Sequence, residues 1–348
     1  MPELMIECSL FVMESTMPKT IILNKDTDRF FISINKIGGH SFLMLGVYDQ
    51  NKVSHLLCRV GKMFDIDPTT EEQNCFTANK RLFKTVFSSS KGKIQDEGTS
   101  RKKKGEDPIS YQAYDINYRQ YLEFIQLLEG LQTKKNQFKC YKPVEEDGNQ
   151  VFLELTSDLI FNPRENMGDF KSDTSELRIR NTCRHTAIKL IEEVLHASIS
   201  PLISSVFFRD LPYKTKLDYG KPSSDIPFYV LPVAPTAYQQ LSEEKRKVLT
   251  KLYSRMEHLL LIKTHTKETE KKFNSLKDLY MNITGPQEEL TLGELLISIQ
   301  TWKEENKLNL NVLRVTYFWD SFFVRESATT KLITEIEEDL QQANDVLN

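Results

Sequence analysis

A cysteine that follows an asparagine and a threonine is the strongest candidate for chemistry in this sequence. Cys183 comes directly after Asn181-Thr182 and opens the segment CRHTAIKLIEEVLHAS. Apolar residues of that segment recur on one face, so we predict an amphipathic helix that begins at Cys183. Unpaired N–H groups and the positive end of the helix dipole would lower the pKa of the thiol and favour the nucleophilic thiolate. The same N–H groups could hold an oxyanion formed on a substrate carbonyl.

Two histidines lie in one predicted β-hairpin. His40 follows Gly38-Gly39 and opens the extended segment HSFLMLGVY, and His55 lies in the next extended segment, VSHLLCRV. The polar residues 49–52 between these segments predict a turn. We therefore expect residues 40–60 to form a hairpin that presents both imidazoles.

The hairpin can supply the base that a cysteine nucleophile requires. We predict that His40 accepts the proton of Cys183 and that His55 orients the His40 ring as the third member of the site. This assignment requires the extra residues of the hairpin to lie in its turn. If they lengthen the strands instead, Asp65 or Asp67, just past the second strand, becomes the better third member.

Metal and nucleotide chemistry fit the sequence less well than thiol chemistry. His185 and His196 accompany Cys183, but Cys183 and His185 would face different sides of the helix, and a fourth ligand at the usual spacing is lacking. The motifs GxGxxG, GxxxxGK(S/T) and GxSxG do not occur. We expect neither a metal nor a cofactor.

Composition predicts a globular chain in a reducing compartment. The 348 residues include 39% hydrophobic and 27% charged residues, and the net charge of −3 gives no overall attraction to nucleic acid. The odd number of cysteines and the lack of a CxxC motif argue against a disulfide framework. No apolar run reaches the length of a membrane span, and Glu3 and Glu7 do not fit a signal peptide. The cysteines are Cys8, Cys58, Cys75, Cys140 and Cys183.

The pattern of segments predicts two domains. Extended and helical segments precede a stretch with six prolines over 201–235, and long helical patterns follow it. We predict an α+β fold in which an antiparallel sheet packs against the Cys183 helix and against an amphipathic helix over 115–130, followed by an all-α helical bundle domain. The predicted domains are 1–235 and 236–348, the second serving to recruit a substrate or partner.

A polar, charge-dense stretch interrupts the first domain. Residues 87–107 contain few apolar side chains and include the run Arg101-Lys102-Lys103-Lys104. We expect this stretch to be a mobile basic surface loop, and we interpret its charge run as solvated.

A histidine hairpin therefore precedes a cysteine helix in this chain. The residues concerned are Gly39-His40-Ser41-Phe42-Leu43-Met44-Leu45-Gly46 with His55, then Tyr141, then Asn181-Thr182-Cys183-Arg184-His185. This layout resembles that of circularly permuted papain-like enzymes, the relatives of lecithin:retinol acyltransferase and of NlpC-type cell-wall peptidases. The resemblance covers about 28–200 and implies Cys183 as nucleophile, His40 as base and His55 as third member. In this chain Thr182 separates the asparagine from the cysteine, whereas the two are often adjacent in the family.

Several phrases also resemble those of Legionella-type effectors delivered by type IV secretion. They are GGHSFLML, CRVGK, ISYQAYDINYRQYLEF and CRHTAIKL. This resemblance implies a virulence factor that a dedicated system secretes into a host cytoplasm, where a host protein would be the substrate.

Together these patterns favour a thiol hydrolase or acyltransferase that works through a Cys183 acyl-enzyme. Cleavage of a peptide or isopeptide bond in a protein is the first expectation, and deamidation, transamidation and lipid acyl transfer are the alternatives. The competing hypothesis is a non-catalytic effector-type protein whose degenerate papain-like core binds a host protein or a lipid headgroup. Neither hypothesis involves nucleic acid or a transmembrane segment, though both allow peripheral lipid contact, and the sequence leaves the oligomeric state open.

Overall fold

A sheet with helices packed on it forms the structure of this chain, which confirms the predicted α+β class. The computed structural model describes residues 18–49, 52–65, 90–97, 109–133, 137–162, 167–199, 203–206, 208–215, 228–261, 266–285, 290–313 and 326–347. None of the helices in these ranges has the length and apolar character needed to cross a membrane.

Eleven strands in the described residues form two sheets. The strands are β1 Thr20–Asn24, β2 Arg29–Ile37, β3 His40–Asp49, β4 Lys52–Phe64, β5 Ser90–Asp96, β6 Ile109–Ile116, β7 Cys140–Asp147, β8 Gln150–Thr156, β9 Glu176–Leu177, β10 Tyr213–Thr215 and β11 Val230–Leu231. The larger sheet, which holds the candidate site, has the order β10-β6-β2-β3-β4-β5-β9, and β11 pairs with β6; all neighbours are antiparallel except β6 and β11. A smaller sheet has the order β1-β8-β7.

The predicted hairpin is confirmed, and a second hairpin precedes it. β3 pairs with β4, and β2 pairs with β3 through a tight turn at Gly38-Gly39. Gly38 has φ of +56°, a left-handed conformation that glycine adopts without the Cβ penalty of other residues. The turn places His40 at the first position of β3, opposite Ile37.

Two helices form one layer against the larger sheet. Helix α1 (Tyr118–Leu131) packs aromatic side chains on β2, with the ring of Tyr121 centred 5.6 Å from that of Phe30. The prediction placed the start of this helix at residue 115, too early because Asn117 forms a capping box with Gln120. Helix α3 (Cys183–Leu195) packs across β2, β3 and β4, and the short helix α2 (Gly168–Ser175) contacts β5.

The predicted surface loop over 87–107 contains a strand. Residues 90–96 form β5, which pairs with β4 and buries Gly92, Ile94 and Asp96 on alternate positions. The loop prediction is therefore wrong for these residues, because pairing with β4 and burial of one face compensate for their low apolar content. The basic run at 101–104 lies outside the described residues.

The C-terminal part is helical, as predicted. Buried polar contacts join it to the sheet: Nζ of Lys277 lies 2.6 Å from an oxygen of Asp115 and donates at 2.9 Å to the hydroxyl of Tyr48 and to the carbonyl of Val230. The described residues do not show the finer prediction, a bundle that forms a domain of its own. The helices are α4 Glu243–Leu261, α5 Lys267–Thr284, α6 Leu292–Glu305, α7 Lys307–Asn311 and α8 Ala328–Leu347.

Candidate active site

Cys183 is the first residue of α3, as the sequence predicts. Thr182 is the N-cap, and its hydroxyl accepts the backbone N–H of His185 at 3.3 Å. The sulfur accepts a backbone N–H from Ser41 at 3.3 Å, and the backbone N–H of Arg184 also acts to lower the pKa of the thiol. The thiol therefore lies among N–H donors at the positive end of a helix, with 9% of the residue surface exposed.

His40 lies between this sulfur and a carboxylate. Its side chain interacts electrostatically with that of Cys183, and its Nε2 lies 2.5 Å from Oε1 of Glu97. Because Glu97 occupies Nε2, Nδ1 is the ring nitrogen left for the sulfur. The structure thus brings together the two residues on which the sequence prediction depends, although 142 positions separate Ser41 from Cys183 in the chain.

The electrostatics of this pair favour the charged thiolate and imidazolium. Burial raises the pKa of Cys183, but the hydrogen bond and charge of His40 and the N–H groups of Ser41 and Arg184 outweigh burial and leave that pKa below its usual value. Burial lowers the pKa of His40, yet its bonds to Cys183 and Glu97 raise it to about 9. A thiolate and an imidazolium side by side form the activated state of a cysteine nucleophile.

Glu97, which contacts His40, is itself held by Arg59 of β4. Its N–H donates to the carbonyl of Arg59 at 2.9 Å, and Nε of Arg59 lies 3.9 Å from Oε2. The Arg59 guanidinium also lies 4.2 Å from the ring centre of Phe42, on which His40 stacks with ring centres 5.8 Å apart. Glu97 is only 3% exposed, so its charge acts on the imidazole with little screening by water.

Gly61 leaves room for this pair. It lies in β4 opposite Phe42, and a Cβ built on it would lie 2.0 Å from Oε1 of Glu97 and 2.9 Å from Nε2 of His40. Any side chain here would occupy the space in which the carboxylate and the imidazole meet.

The structure does not bring His55, the predicted third member, to His40. His55 pairs with Val47, seven residues along β3 from His40, which corresponds to about 23 Å at ~3.3 Å per residue. The extra residues of the hairpin lengthen its strands, with bulges between Leu45 and Gly46 and between Val47 and Tyr48. Burial lowers the pKa of His55, against a smaller opposing effect of Asp28.

Asp65, one of the two alternative carboxylates, is not beside His40 either. Asp65 is half exposed and forms an ion pair with Lys93 at 3.2 Å, and Asp67 lies outside the described residues. The carboxylate that contacts His40 is that of Glu97. Glu97 was not predicted, because it lies in the stretch interpreted as a loop. The alternation of Gly92 and Ile94 with polar residues was the one signal of the strand that delivers it.

The neighbouring segment is fixed to α3 by Arg184. Its guanidinium donates to the carbonyl of Val206 at 2.7 Å and to that of Arg209 at 2.5 Å. On the other side of this segment, Nζ of Lys36 lies 2.5 Å from Asp210. These contacts fix Val206, Arg209 and Asp210 to the first turn of α3 and to the end of β2.

The other described thiols have the opposite environment. Cys58 and Cys140 are buried, and the pKa of Cys58 is raised well above its usual value by its hydrogen bond with Cys140 and by burial.

His196 contacts Glu123 at 3.0 Å on the surface. Within the ranges that the structure describes, no group of three or more His, Cys, Asp or Glu residues is arranged to hold a metal ion.

Comparison with protein-family models, with curated proteins and with solved structures gives no match for this chain.

Proposed function

We propose that this protein is a cysteine hydrolase or acyltransferase in which Cys183 is the nucleophile, His40 the base and acid, and Glu97 the residue that orients His40. One observation carries this proposal: the His40 ring interacts electrostatically with the Cys183 thiol, and its Nε2 lies 2.5 Å from a buried carboxylate. Burial of Glu97 and the N–H donors around the sulfur support the same assignment.

The proposed reaction has two halves. The Cys183 thiolate attacks a carbonyl carbon and forms a C–S bond, while the carbonyl electron pair moves to oxygen and is stabilised by N–H groups at the start of α3. When the intermediate collapses, the C–N bond breaks and the His40 imidazolium gives its proton to the leaving amine. Water then attacks the thioester, His40 accepts the proton of that water, and Cys183 leaves as the thiolate.

We infer a peptide or isopeptide bond in a protein as the first substrate class. A second amine in place of water would make the same acyl-enzyme a transamidase, and an ester donor would make it an acyltransferase. The resemblance to permuted papain-like enzymes and to secreted effectors supports a host protein as the substrate. In that proposal the helical C-terminal part recruits the substrate as a separate bundle domain.

Acyl-enzyme formation can be tested without knowing the natural substrate. The full-length protein is treated with iodoacetamide and, separately, with p-nitrophenyl acetate at pH 7, and modification of each cysteine is followed by mass spectrometry. Cys183 should be alkylated at least about tenfold faster than the other cysteines, since its lowered pKa makes its thiolate more abundant than that of an ordinary cysteine, and it should carry the transient acetyl group.

Two histidine variants provide the matched comparison. His40→Ala should abolish the selectivity for Cys183, whereas His55→Ala, at the far end of the same hairpin, should preserve it. Equal alkylation of all accessible thiols in the wild type would overturn the proposal and favour the non-catalytic interaction protein.

A further inference from the structure

A buried lysine lies beneath the start of α3. Lys62, in β4, is 2% exposed, and its Nζ donates to the side-chain oxygen of Asn181 at 2.7 Å and to the carbonyl of Asn181 at 3.2 Å. It also donates to the hydroxyl of Thr186 at 3.1 Å and to the carbonyl of Asp173. Its partners Asn181, just before the N-cap of α3, and Thr186, in the first turn, therefore lie two residues before and three residues after Cys183.

The four acceptors of Lys62 are neutral groups, which distinguishes it from an ordinary buried ion pair. Lys142, of similar burial, has the carboxylate of Glu129 at 2.7 Å. The side chain of Asp173 instead contacts Lys189, and only its backbone carbonyl reaches Lys62. A buried ammonium without a directly bound carboxylate is costly, so the charges around it decide whether it keeps its proton.

The charged groups that act on Lys62 come from α2, α3, β9 and the residue that follows β9. Burial lowers its pKa, Asp173 on α2, the Cys183 thiolate on α3 and Glu176 on β9 raise it, and Arg178 lowers it, which together leave that pKa at about 8. At neutral pH most Lys62 side chains therefore carry a proton. Cys183 is the only one of the three negative groups that belongs to the proposed reaction.

We propose that Lys62 is a positioning residue for the reaction proposed above: it fixes the first turn of α3 through Asn181 and Thr186, and its ammonium charge stabilises the Cys183 thiolate from beneath the helix. The proposal rests on Cys183 as nucleophile but does not require a particular substrate. It adds a cation held beside the first turn of α3 and makes thiol ionisation depend on β4 as well as on β3.

Neutral substitutions of Lys62 test this directly. Lys62→Met removes the charge and the donors, and Lys62→Gln removes the charge but keeps an N–H donor. The pH dependence of iodoacetamide alkylation should show the apparent pKa of Cys183 raised by about one unit in both variants, which slows alkylation at pH 6 about tenfold. Lys142→Met is the matched control, since it removes an equally buried lysine far from the sulfur: it should lower Tm and leave the Cys183 profile unchanged.

A loss of Tm with an unchanged Cys183 profile in both Lys62 variants would overturn the proposal and leave Lys62 a structural residue. A second measurement uses a variant that keeps Lys62. Because coupling between two ionisable groups is reciprocal, Cys183→Ser should lower the pKa of Lys62, followed by NMR of isotope-labelled lysine side chains. An unchanged Lys62 pKa in Cys183→Ser would contradict the proposal even if the Lys62 variants did not fold.

These outcomes are separate from the fate of the proposed function. If wild-type Cys183 is alkylated no faster than Cys58 and Cys140, the enzymatic proposal fails whatever the Lys62 variants do. Suppose instead that Cys183 is selectively reactive and loses that reactivity in His40→Ala. If the pH dependence of its alkylation is then the same in the Lys62 variants as in the wild type, only the inference about Lys62 fails.

Discussion

Oε1 of Glu97 lies 2.5 Å from Nε2 of His40, so the residue that follows β5 fixes the imidazole at the start of β3. These two strands are not neighbours, because β4 lies between them. The contact passes over Gly61 of β4, where the absence of a side chain lets the two groups meet. The consequence is a ring whose Nε2 is occupied by Glu97, which leaves Nδ1 available to Cys183.

Replacing this carboxylate should weaken the base. Glu97→Gln removes the charge that raises the pKa of His40, so that pKa should fall from about 9, and acylation of Cys183 by p-nitrophenyl acetate should slow roughly 10- to 100-fold. The measurement is the acylation rate between pH 5 and pH 10, in which the alkaline limit should move to lower pH. Asp65→Asn, a half-exposed carboxylate paired with Lys93, is the control and should keep the wild-type profile. Equal profiles for both variants would remove Glu97 from the site.

A single methyl group at Gly61 should separate the pair. Gly61→Ala places Cβ 2.0 Å from Oε1 of Glu97 and 2.9 Å from Nε2 of His40, so the carboxylate must move away. We expect Cys183 alkylation at pH 7 to slow by roughly tenfold while the far-UV circular dichroism stays that of the wild type. Gly39→Ala is the matched control, because its added Cβ meets nothing within 4 Å, and it should react normally. Normal reactivity of Gly61→Ala would show that the contact is dispensable.

The sequence predicts the parts of the site that depend on local patterns. Thr182 as N-cap and the apolar face of α3 fix the position of Cys183, and Gly38 fixes the turn before His40, so both could be placed from neighbouring residues alone. Glu97 could not be found in this way, since β5 has one strongly apolar residue, Ile94, and is stabilised mainly by pairing with β4. His55 was expected close to His40 for a related reason. The length of the paired strands depends on bulges in the pairing of β3 with β4, and the identity of the turn residues does not indicate those bulges.

The reactive state should exist within a defined pH window. The pKa of Cys183 is lowered, so its thiolate forms before a usual cysteine ionises, and the pKa of His40 is raised to about 9, so its imidazolium persists to that pH. Acylation that needs both groups should rise as the thiolate forms and fall above about pH 9, when the acid is lost. In His40→Ala, alkylation should follow a single step at the usual or higher pKa of a buried thiol. A wild-type profile with that same single step would contradict the ion pair.

The buried contact between the C-terminal helices and the sheet should dominate the stability of that junction. Lys277→Met leaves the carboxylate of Asp115 without its partner at 2.6 Å and removes the donor to Tyr48, so we expect a loss of about 3–5 kcal/mol in the free energy of unfolding. Urea denaturation followed by circular dichroism measures this loss. The control is Lys251→Met, which breaks a more exposed pair with Asp339 and should cost less than about 1 kcal/mol.

A double variant separates an unpaired charge from lost packing. Lys277→Met with Asp115→Asn removes both charges, so it should recover part of the stability that Lys277→Met loses, because the buried carboxylate, to which the Tyr48 hydroxyl still donates, no longer has to stay ionised without the lysine charge. The alkylation profile of Cys183 should be unchanged in the folded double variant, since Tyr48 lies eight residues along β3 from His40, about 26 Å at ~3.3 Å per residue. If the double variant is no more stable than Lys277→Met, Lys277 stabilises this junction by packing and by its contacts with Tyr48 and Val230, rather than by neutralising Asp115.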